Sequence, residues 1–203
     1  VKGYEIRGYG GYKSKAAGTD SSSTAWVADL SGNNLEAVKS VFFCESAFDA
    51  MAFHQMNKGQ LHPDVALVSL GGTFSDNQII GVMDRFPNAK AFDCFDNDIA
   101  GRIYGLRMVG LIEGIPMRIS KAEDGLQVEA RGKSFTVNPG KALSSQLAAH
   151  LPIRYCTGQW LPPKAFKDWN DCLLNKPVAS VLAPRKEERD RNLAERRKGN
   201  LKM

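Results

Sequence analysis

Short, continuously apolar segments alternate with segments of helical spacing through the centre of this chain, and this alternation constrains the fold more than any other feature. Continuous apolar runs predict strands buried on both faces, since a half-exposed strand would alternate apolar and polar residues. The predicted strands cover residues 40–44, 65–70, 91–95 and 115–119, and the predicted helices between them cover 46–57, 75–86 and 100–113. This order predicts an α/β fold, with helices on both faces of a parallel sheet.

Small or acidic residues follow three of these strands, where the connection to the next helix begins. Glu45 follows the first strand, Gly71 and Gly72 the second, and Asp96 and Asp98 the third. Right-handed crossovers place the carboxyl ends of parallel strands on one edge, where such sheets bind ligands. Two nearby carboxylates repel each other unless one holds a proton or a cation lies between them, and Mg²⁺ prefers such oxygen ligands. An isolated Asp-x-Asp is more often a turn that caps a helix, but the neighbouring motifs favour a metal site.

The remaining segments complete a division of the chain into five parts. These are an N-terminal flanking segment (1–39) that packs on the core, the α/β core (40–119), an insertion (120–163), a closing acidic segment with a helix (164–183), and a basic tail (184–203). The flanking segment contains a predicted strand at 24–30. In the insertion, residues 126–130 and 134–137 predict a β-hairpin, and a helix is expected at about 140–150. The tail is expected to be a solvated helix or a frayed end.

The bulk composition excludes several classes of protein. No apolar run approaches the roughly 20 residues that span a bilayer, and no signal-peptide pattern opens the chain, so we expect a cytoplasmic protein with no membrane partner. The four cysteines form no Cys-x-x-Cys pair, so no zinc is expected, and Cys44 and Cys94 are predicted to be reduced core residues. Residues 185–203 carry +4 of the net charge of +5, so the charge of the rest is a weak indication of nucleic-acid binding. The opening at Val1 is typical of the interior of a longer protein, so we expect a domain of a larger parent.

Four motifs in a fixed order carry a resemblance to a known family. They are a strand ending in Glu45 with Asp49 four residues later, the pair Gly71-Gly72, the run Asp96-Asn97-Asp98-Ile99-Ala100-Gly101, and the run Lys167-Asp168-Trp169-Asn170-Asp171. Together they resemble the Toprim domain of bacterial-type DNA primases, type IA and type II topoisomerases and certain nucleases. With the opening Glu5-Ile6-Arg7-Gly8, the chain is most similar to Toprim-like domains of primase-like and mobilisation proteins of plasmids and mobile elements. The resemblance covers residues 40–119 and resumes at 167–174.

The resemblance implies a Rossmann-like α/β domain with a Mg²⁺ or Mn²⁺ centre that acts on phosphodiesters. Carried over position by position, Glu45 would act as general acid or base or as a metal ligand. Asp96 and Asp98 would bind the metal. These three residues form the expected catalytic set.

Three further acids are expected metal ligands around this set. Asp49 matches an acid found one helical turn after the family's Glu, although a first-turn carboxylate stabilised by the helix dipole explains it equally well. Asp168 and Asp171 would extend the acidic rim. Ser46 departs from the family, which commonly has glycine at this position.

Basic residues near the rim are candidate contacts to the expected partners, which are single-stranded DNA, nucleotides and other domains of the parent protein. Lys167 and Arg102 would contact phosphates, although single basic residues are more often plain surface charges. Arg7 and Lys13 lie in the segment 4–15, whose aromatic, glycine and basic residues suit stacking on single strands. An irregular edge strand that packs on the domain explains this segment equally well.

Three functions are compatible with these motifs. The leading hypothesis is Mg²⁺-dependent, primase-type nucleotidyl transfer on single-stranded DNA within a mobile-element replication protein. Phosphoryl transfer needs neutralised oxygens and an aligned nucleophile, and Mg²⁺ held by carboxylates supplies both. The alternatives are metal-dependent strand cleavage of the nuclease or topoisomerase type, and a non-catalytic nucleic-acid-binding module of a relaxase.

Overall fold

The computed structural model of the chain describes residues 1–8, 12–154 and 157–178. Its strands are β1 (Glu5–Arg7), β2 (Lys13–Lys15), β3 (Trp26–Asp29), β4 (Ser40–Cys44), β5 (Val65–Ser69), β6 (Lys90–Asp93), β7 (Met117–Ala122), β8 (Gly125–Ala130), β9 (Lys133–Val137) and β10 (Gly158–Gln159). Its α-helices are α1 (Ala47–Asn57), α2 (Asp76–Arg85), α3 (Ile99–Ile112), α4 (Leu143–Ala148) and α5 (Trp169–Leu173), and a 3₁₀ helix covers Leu35–Ala37. Within the described residues, no helix has the length and apolar character needed to cross a bilayer.

The main sheet has five strands in the order β10, β6, β4, β5, β3. The first four are parallel, and β3 runs antiparallel to β5 at the edge. Phe42 of the central strand pairs with Leu67 on one side and with Phe92 on the other. Cys44 and Cys94 are buried free thiols, as predicted. The expectation of an α/β fold around a mostly parallel sheet is confirmed.

Both faces of this sheet are buried, which explains why its central strands lack alternation of apolar and polar residues. Phe43 and Val68 belong to the cluster that α2 and α3 cover. Phe42 and Leu67 belong to the opposite cluster, which α1 covers together with Trp169 of α5. Helices therefore lie on both faces, as the sequence predicted.

The predicted fourth strand of the parallel sheet, at residues 115–119, is wrong in its placement. Strand β7 begins at Met117 and pairs antiparallel with β8 in a separate sheet, β7–β8–β9. Strand β10 takes the parallel position beside β6 instead. The physical reason lies in the alternation of residues 117–120, where only Met117 and Ile119 pack on a core cluster. Such alternation is typical of a sheet with one solvated face.

The second sheet packs on the side of α3 that faces away from the main sheet. Leu106 and Val109 of α3 are buried with Leu126 of β8 and Leu147 of α4. The predicted hairpin is formed by β8 and β9, and the helix expected at 140–150 is the shorter α4. The predicted tail at 184–203 lies outside the described residues.

Candidate metal centre

Three parallel strands end at the sheet edge where the acidic residues were predicted. Glu45 directly follows β4, and its carbonyl accepts a hydrogen bond from Gly72 N–H at 2.8 Å in the loop after β5. Its Oε1 accepts from Asp96 N–H at 3.3 Å, in the loop after β6. Gly71 and Gly72 have φ values of 71° and 97°, which glycine adopts without strain. The structure thus brings Glu45, the Gly-Gly turn and Asp96 together.

The Asp96-Asn97-Asp98 loop is held against the first turn of α3. Asp98 is the N-cap of this helix, and its Oδ1 accepts from Gly101 N–H at 2.9 Å. A Cβ at position 101 would lie 2.0 Å from the Asp96 carbonyl oxygen, so only glycine allows this close approach. The buried Arg102 guanidinium donates to Asn97 Oδ1. The capping role and the acidic role of Asp98 are therefore compatible, because the cap uses only one of its two oxygens.

Lys167 lies between the two carboxylates of this loop. Its Nζ is 2.6 Å from Asp96 Oδ2 and 3.7 Å from Asp98 Oδ2. The Lys167 carbonyl also accepts from Asn97 N–H at 2.6 Å, which ties the segment before α5 to the acidic loop. Burial opposes the charged form of Lys167, but the neighbouring carboxylates, above all Asp96, outweigh it and raise the pKa of the ammonium. Lys167 is therefore a fixed positive charge inside the acidic site.

One ammonium does not neutralise the whole site. Burial, together with the charges of Asp96 and Asp98, raises the pKa of Glu45 to about 8. Burial also raises the pKa of Asp96, to about 7, although Lys167 opposes that shift. Both carboxyls thus hold their protons at far higher pH than exposed carboxyls do. With Glu45, Asp96 and Asp98 all ionised, the site would carry more negative charge than the single Lys167 ammonium balances.

Three acids form a second group beside the first, between α1 and α5. Asp49 is buried, and its Oδ1 accepts from Asn170 N–H at 3.2 Å, while the Ser46 hydroxyl donates to Oδ2. Asp168 is the N-cap of α5 and accepts from Asp171 N–H at 2.6 Å. Burial and the Asp168 charge raise the pKa values of Asp49 and Asp171. The departure from the family at Ser46 therefore has a structural role, because this side chain orients Asp49.

The carboxylates of the first group fit a divalent cation by their chemistry. Among the described residues, no three His, Cys, Asp or Glu side chains lie close enough together to hold a metal ion as they stand. The Lys167 ammonium takes the place between Asp96 and Asp98. Carboxylate oxygens from two loops are nevertheless the kind of donor that Mg²⁺ prefers, and a bound ion would replace the protons that the raised pKa values of Glu45 and Asp96 retain. The predicted ligand roles of these residues, and of Asp49, Asp168 and Asp171, stay predictions.

The hairpin of β1 and β2 packs on the same sheet edge. Glu5 Oε2 accepts from Ala47 N–H at 3.4 Å, at the start of α1, and Glu5 Oε1 accepts from the Ser69 hydroxyl at the end of β5. Arg7 lies 3.4 Å from the Glu5 carboxylate, and its guanidinium is 5.9 Å from the centre of the Phe48 ring. The sequence left two interpretations of this segment, stacking on single strands and packing on the domain, and these contacts are packing contacts. Stacking on a nucleic acid stays a prediction.

The predicted nucleic-acid contacts occupy different environments. Lys13 is exposed, and its charge partly opposes the rise that burial and the Asp168 charge cause in the pKa values of Asp49 and Asp171. The Lys167 side chain is 42% exposed at the acidic loop. Arg102 is only 3% exposed and is bonded to Asn97, so a phosphate contact there would require the loop to move. Its observed contact instead holds the acidic loop in place.

The sequence interpretation missed two features that position the site. Glu5 was quoted only as part of a family motif, yet it joins the hairpin to the start of α1 and to the end of β5. Asp93 was counted only within a strand, yet it is fully buried, and its Oδ2 accepts from Gln159 Nε2 at 2.8 Å. Gln159 Oε1 in turn accepts from Leu143 N–H at 3.0 Å, which links β6 to α4. The signal for Asp93 was a charged residue inside an apolar run, which requires a buried partner.

A comparison with protein families supports the expected class of protein. A family model described as Toprim-like matches residues 42–126, somewhat less than half of the chain, and supports a Toprim domain there. The match begins in β4, includes the loops with Glu45, Asp96 and Asp98, and ends in β8. Toprim domains are generally metal-binding domains of enzymes that act on nucleic acids. No curated protein and no solved structure matches the chain significantly.

Proposed function

We propose that this chain is the Mg²⁺-dependent Toprim domain of a primase-like protein, which carries out nucleotidyl transfer on single-stranded DNA as part of a larger mobile-element replication protein. The observation that carries the proposal is the convergence of Glu45 and Asp96, from two different strand ends, on one partly compensated acidic site. The family match over residues 42–126 supports the same chemistry.

Glu45, Asp96 and Asp98 would hold the metal ion in this proposal. When bound, Mg²⁺ neutralises phosphate oxygens and aligns the reacting groups of a phosphoryl transfer. Glu45, with its pKa of about 8, would exchange a proton near neutral pH and so fits the expected general acid or base. Lys167 would contact a phosphate once a metal ion replaces it between Asp96 and Asp98.

The β1–β2 hairpin would guide the template strand to this site. Arg7 and Lys13 lie on this hairpin, which packs at the acidic edge through Glu5. Tyr4 and Tyr12 are 66% and 59% exposed, and exposed aromatic side chains serve as stacking surfaces for single-stranded bases. These features support a single-stranded ligand.

Template-dependent incorporation of labelled nucleotides by the chain, with and without Mg²⁺, tests the proposal. The expected result is Mg²⁺-dependent incorporation that Asp96→Asn and Asp98→Asn abolish. Asp84→Asn is the matched control, because Asp84 is an exposed acid on α2 away from this edge, and it should leave incorporation unchanged. Metal-dependent shortening of the oligonucleotide, in place of incorporation, would contradict the proposal and favour strand cleavage.

A non-catalytic nucleic-acid-binding module is the second candidate, and the position of Lys167 favours it. An ammonium 2.6 Å from Asp96 partly satisfies the acidic pair without any metal ion. In that case the chain would bind single-stranded DNA equally well with Mg²⁺ and with a chelator, and no turnover would be measured.

A further inference from the structure

The segment that contains the second sheet and α4 carries a net charge opposite to that of the preceding part of the chain. Residues 117–154 contain six Lys or Arg and three Asp or Glu, a net charge of +3. Residues 40–116 contain five Lys or Arg and nine Asp or Glu, a net charge of −4. The second sheet is thus a basic layer on an acidic core, and a positive surface attracts polyanions.

A groove of about 600 Å³ lies at one end of this sheet. Its basic lining residues are Arg118, Arg131 and Lys133, and Glu129 is its one acidic lining residue. Arg118 lies opposite Glu129 in the register of β7 and β8, but the two side chains form no ion pair. Neither Arg118 nor Arg131 forms an ion pair or a side-chain hydrogen bond with the described residues. Two guanidinium groups are therefore available to a ligand, since exposed arginines without partners are suited to bidentate contact with phosphate.

The backbone at Arg131 gives an independent indication that this side chain has a role. Arg131 and Gly132 form the two-residue turn between β8 and β9, with φ values of 49° and 72°. Such turns need positive φ at both central residues and favour Asn, Asp or Gly at the first. A long basic side chain at that position is strained, and strain of this kind is a reason to suspect a function. The strained residue presents its charge at the groove.

Lys133 completes the groove from the other strand. Its Nζ donates to the His150 carbonyl at 2.8 Å, and the His150 ring stacks on Phe135 at 4.2 Å between centroids. This contact fixes the ammonium at the groove and leaves two of its three N–H donors available.

The groove and the acidic site lie near opposite ends of α3. Asp98 caps the first turn of this helix, whereas Met117 of the groove lies close to Gly110 near its last turn. Fourteen helical residues extend about 21 Å, at about 1.5 Å each. At the duplex rise of about 3.4 Å per nucleotide, this distance corresponds to about six stacked nucleotides, and an extended single strand would need fewer.

We propose that this groove binds the phosphate backbone of the single strand on which the acidic site acts, through Arg118 and Arg131, with Lys133 as a third contact. This inference rests on the proposed function for the identity of its ligand. It gives the second sheet a role, namely to hold the strand beyond the reacting end.

The test is the salt dependence of binding of a labelled 20-nucleotide single strand, measured by fluorescence anisotropy with EDTA present. The double variant Arg118→Ala/Arg131→Asn removes two phosphate contacts, so the slope of log K against log salt should fall by about 1.4. This corresponds to about 25-fold weaker binding at 0.1 M salt, with the difference vanishing toward 1 M. The control Lys39→Ala/Lys58→Ala removes the same charge from exposed positions outside the groove and should leave the slope nearly unchanged.

Two further measurements separate binding from folding and from charge alone. Asn tolerates positive φ, so the Arg131→Asn variant should melt at an equal or higher temperature than the wild type while it binds more weakly. Glu129→Gln should strengthen binding, because it removes the one acidic group in the groove. An unchanged salt slope in the double variant overturns the inference, and so does weakened binding of a nucleoside triphosphate without weakened binding of the strand.

The outcome is separable from that of the proposed function. The groove measurement needs no metal and no turnover. A reduced slope without nucleotide incorporation would uphold the groove and contradict the proposed reaction. Nucleotide incorporation together with an unreduced salt slope would uphold the proposed reaction and contradict the groove.

Discussion

Replacing Lys167 by Met removes the internal cation of the acidic site while it keeps much of the side-chain volume. The Lys167 ammonium lies 2.6 Å from the buried Asp96 carboxylate, but the Lys167 side chain is 42% exposed. Breaking a fully buried ion pair costs about 3–5 kcal/mol, and an exposed pair contributes about 0.2–1 kcal/mol. For this half-exposed pair we expect a loss of about 1–3 kcal/mol in the free energy of unfolding at pH 8. The loss should be smaller at pH 5, where Asp96 accepts a proton instead.

The same substitution should tighten Mg²⁺ binding. If Lys167 and the metal ion compete for Asp96 and Asp98, a coupling of about 1–3 kcal/mol corresponds to about 5- to 150-fold higher affinity in the variant. Thermal unfolding should show a drop of about 2–4 °C per kcal/mol without metal, and Mg²⁺ should reverse it. Lys164→Met is the matched control, because Lys164 is exposed and forms no ion pair with the described residues. A less stable variant whose Mg²⁺ affinity is unchanged or weaker would refute the competition.

Three further predictions concern the titration, packing and docking of the site. Because the pKa values of Glu45 and Asp96 are raised to about 8 and about 7, the folded state holds protons that the unfolded state has released. The free energy of unfolding should therefore fall as pH rises from about 4 to about 8, by at most about 1.4 kcal/mol per pH unit for each carboxyl. Saturating Mg²⁺ should reduce this fall, and a rise in the free energy of unfolding across this range would contradict the raised pKa values. Gly101→Ala should destabilise by about 1–3 kcal/mol because its Cβ would meet the Asp96 carbonyl, whereas Gly81→Ala, in open space on α2, should stabilise by about 0.5–1 kcal/mol in denaturant unfolding. Glu5→Ala should speed hydrogen exchange of the β1 and β2 amides at least about fivefold, and unchanged exchange would show that Glu5 does not hold the hairpin.

The sequence predicted the first three strands of the core well because each of them is short, buried and bounded by turn residues. Strand β4 was placed correctly at both ends, and the helix after it was predicted to begin at Ser46, which is its N-cap. The expected convergence of Glu45 and Asp96 follows from parallel strands alone, since their carboxyl ends must share one edge. These features depend on local sequence patterns, namely continuous apolar runs and the residues that bound them.

The remainder depends on contacts between distant segments, which no local pattern encodes. Lys167 reaches Asp96 across more than 70 positions of sequence, and Glu5 reaches Ser69 across 64. Strand β10 consists of two residues and carries no recognisable strand pattern, so its place beside β6 could not be predicted. The burial of Arg102 was missed because a lone arginine on a helix is usually a surface charge.

Calorimetric titration of the chain with Mg²⁺ tests the central claim most directly. The account predicts saturable binding in the wild type and in Asp84→Asn, and its loss in Asp96→Asn/Asp98→Asn, because the charge needed to hold the ion is removed. Binding that is equal in all three proteins would contradict a metal centre at this edge of the sheet.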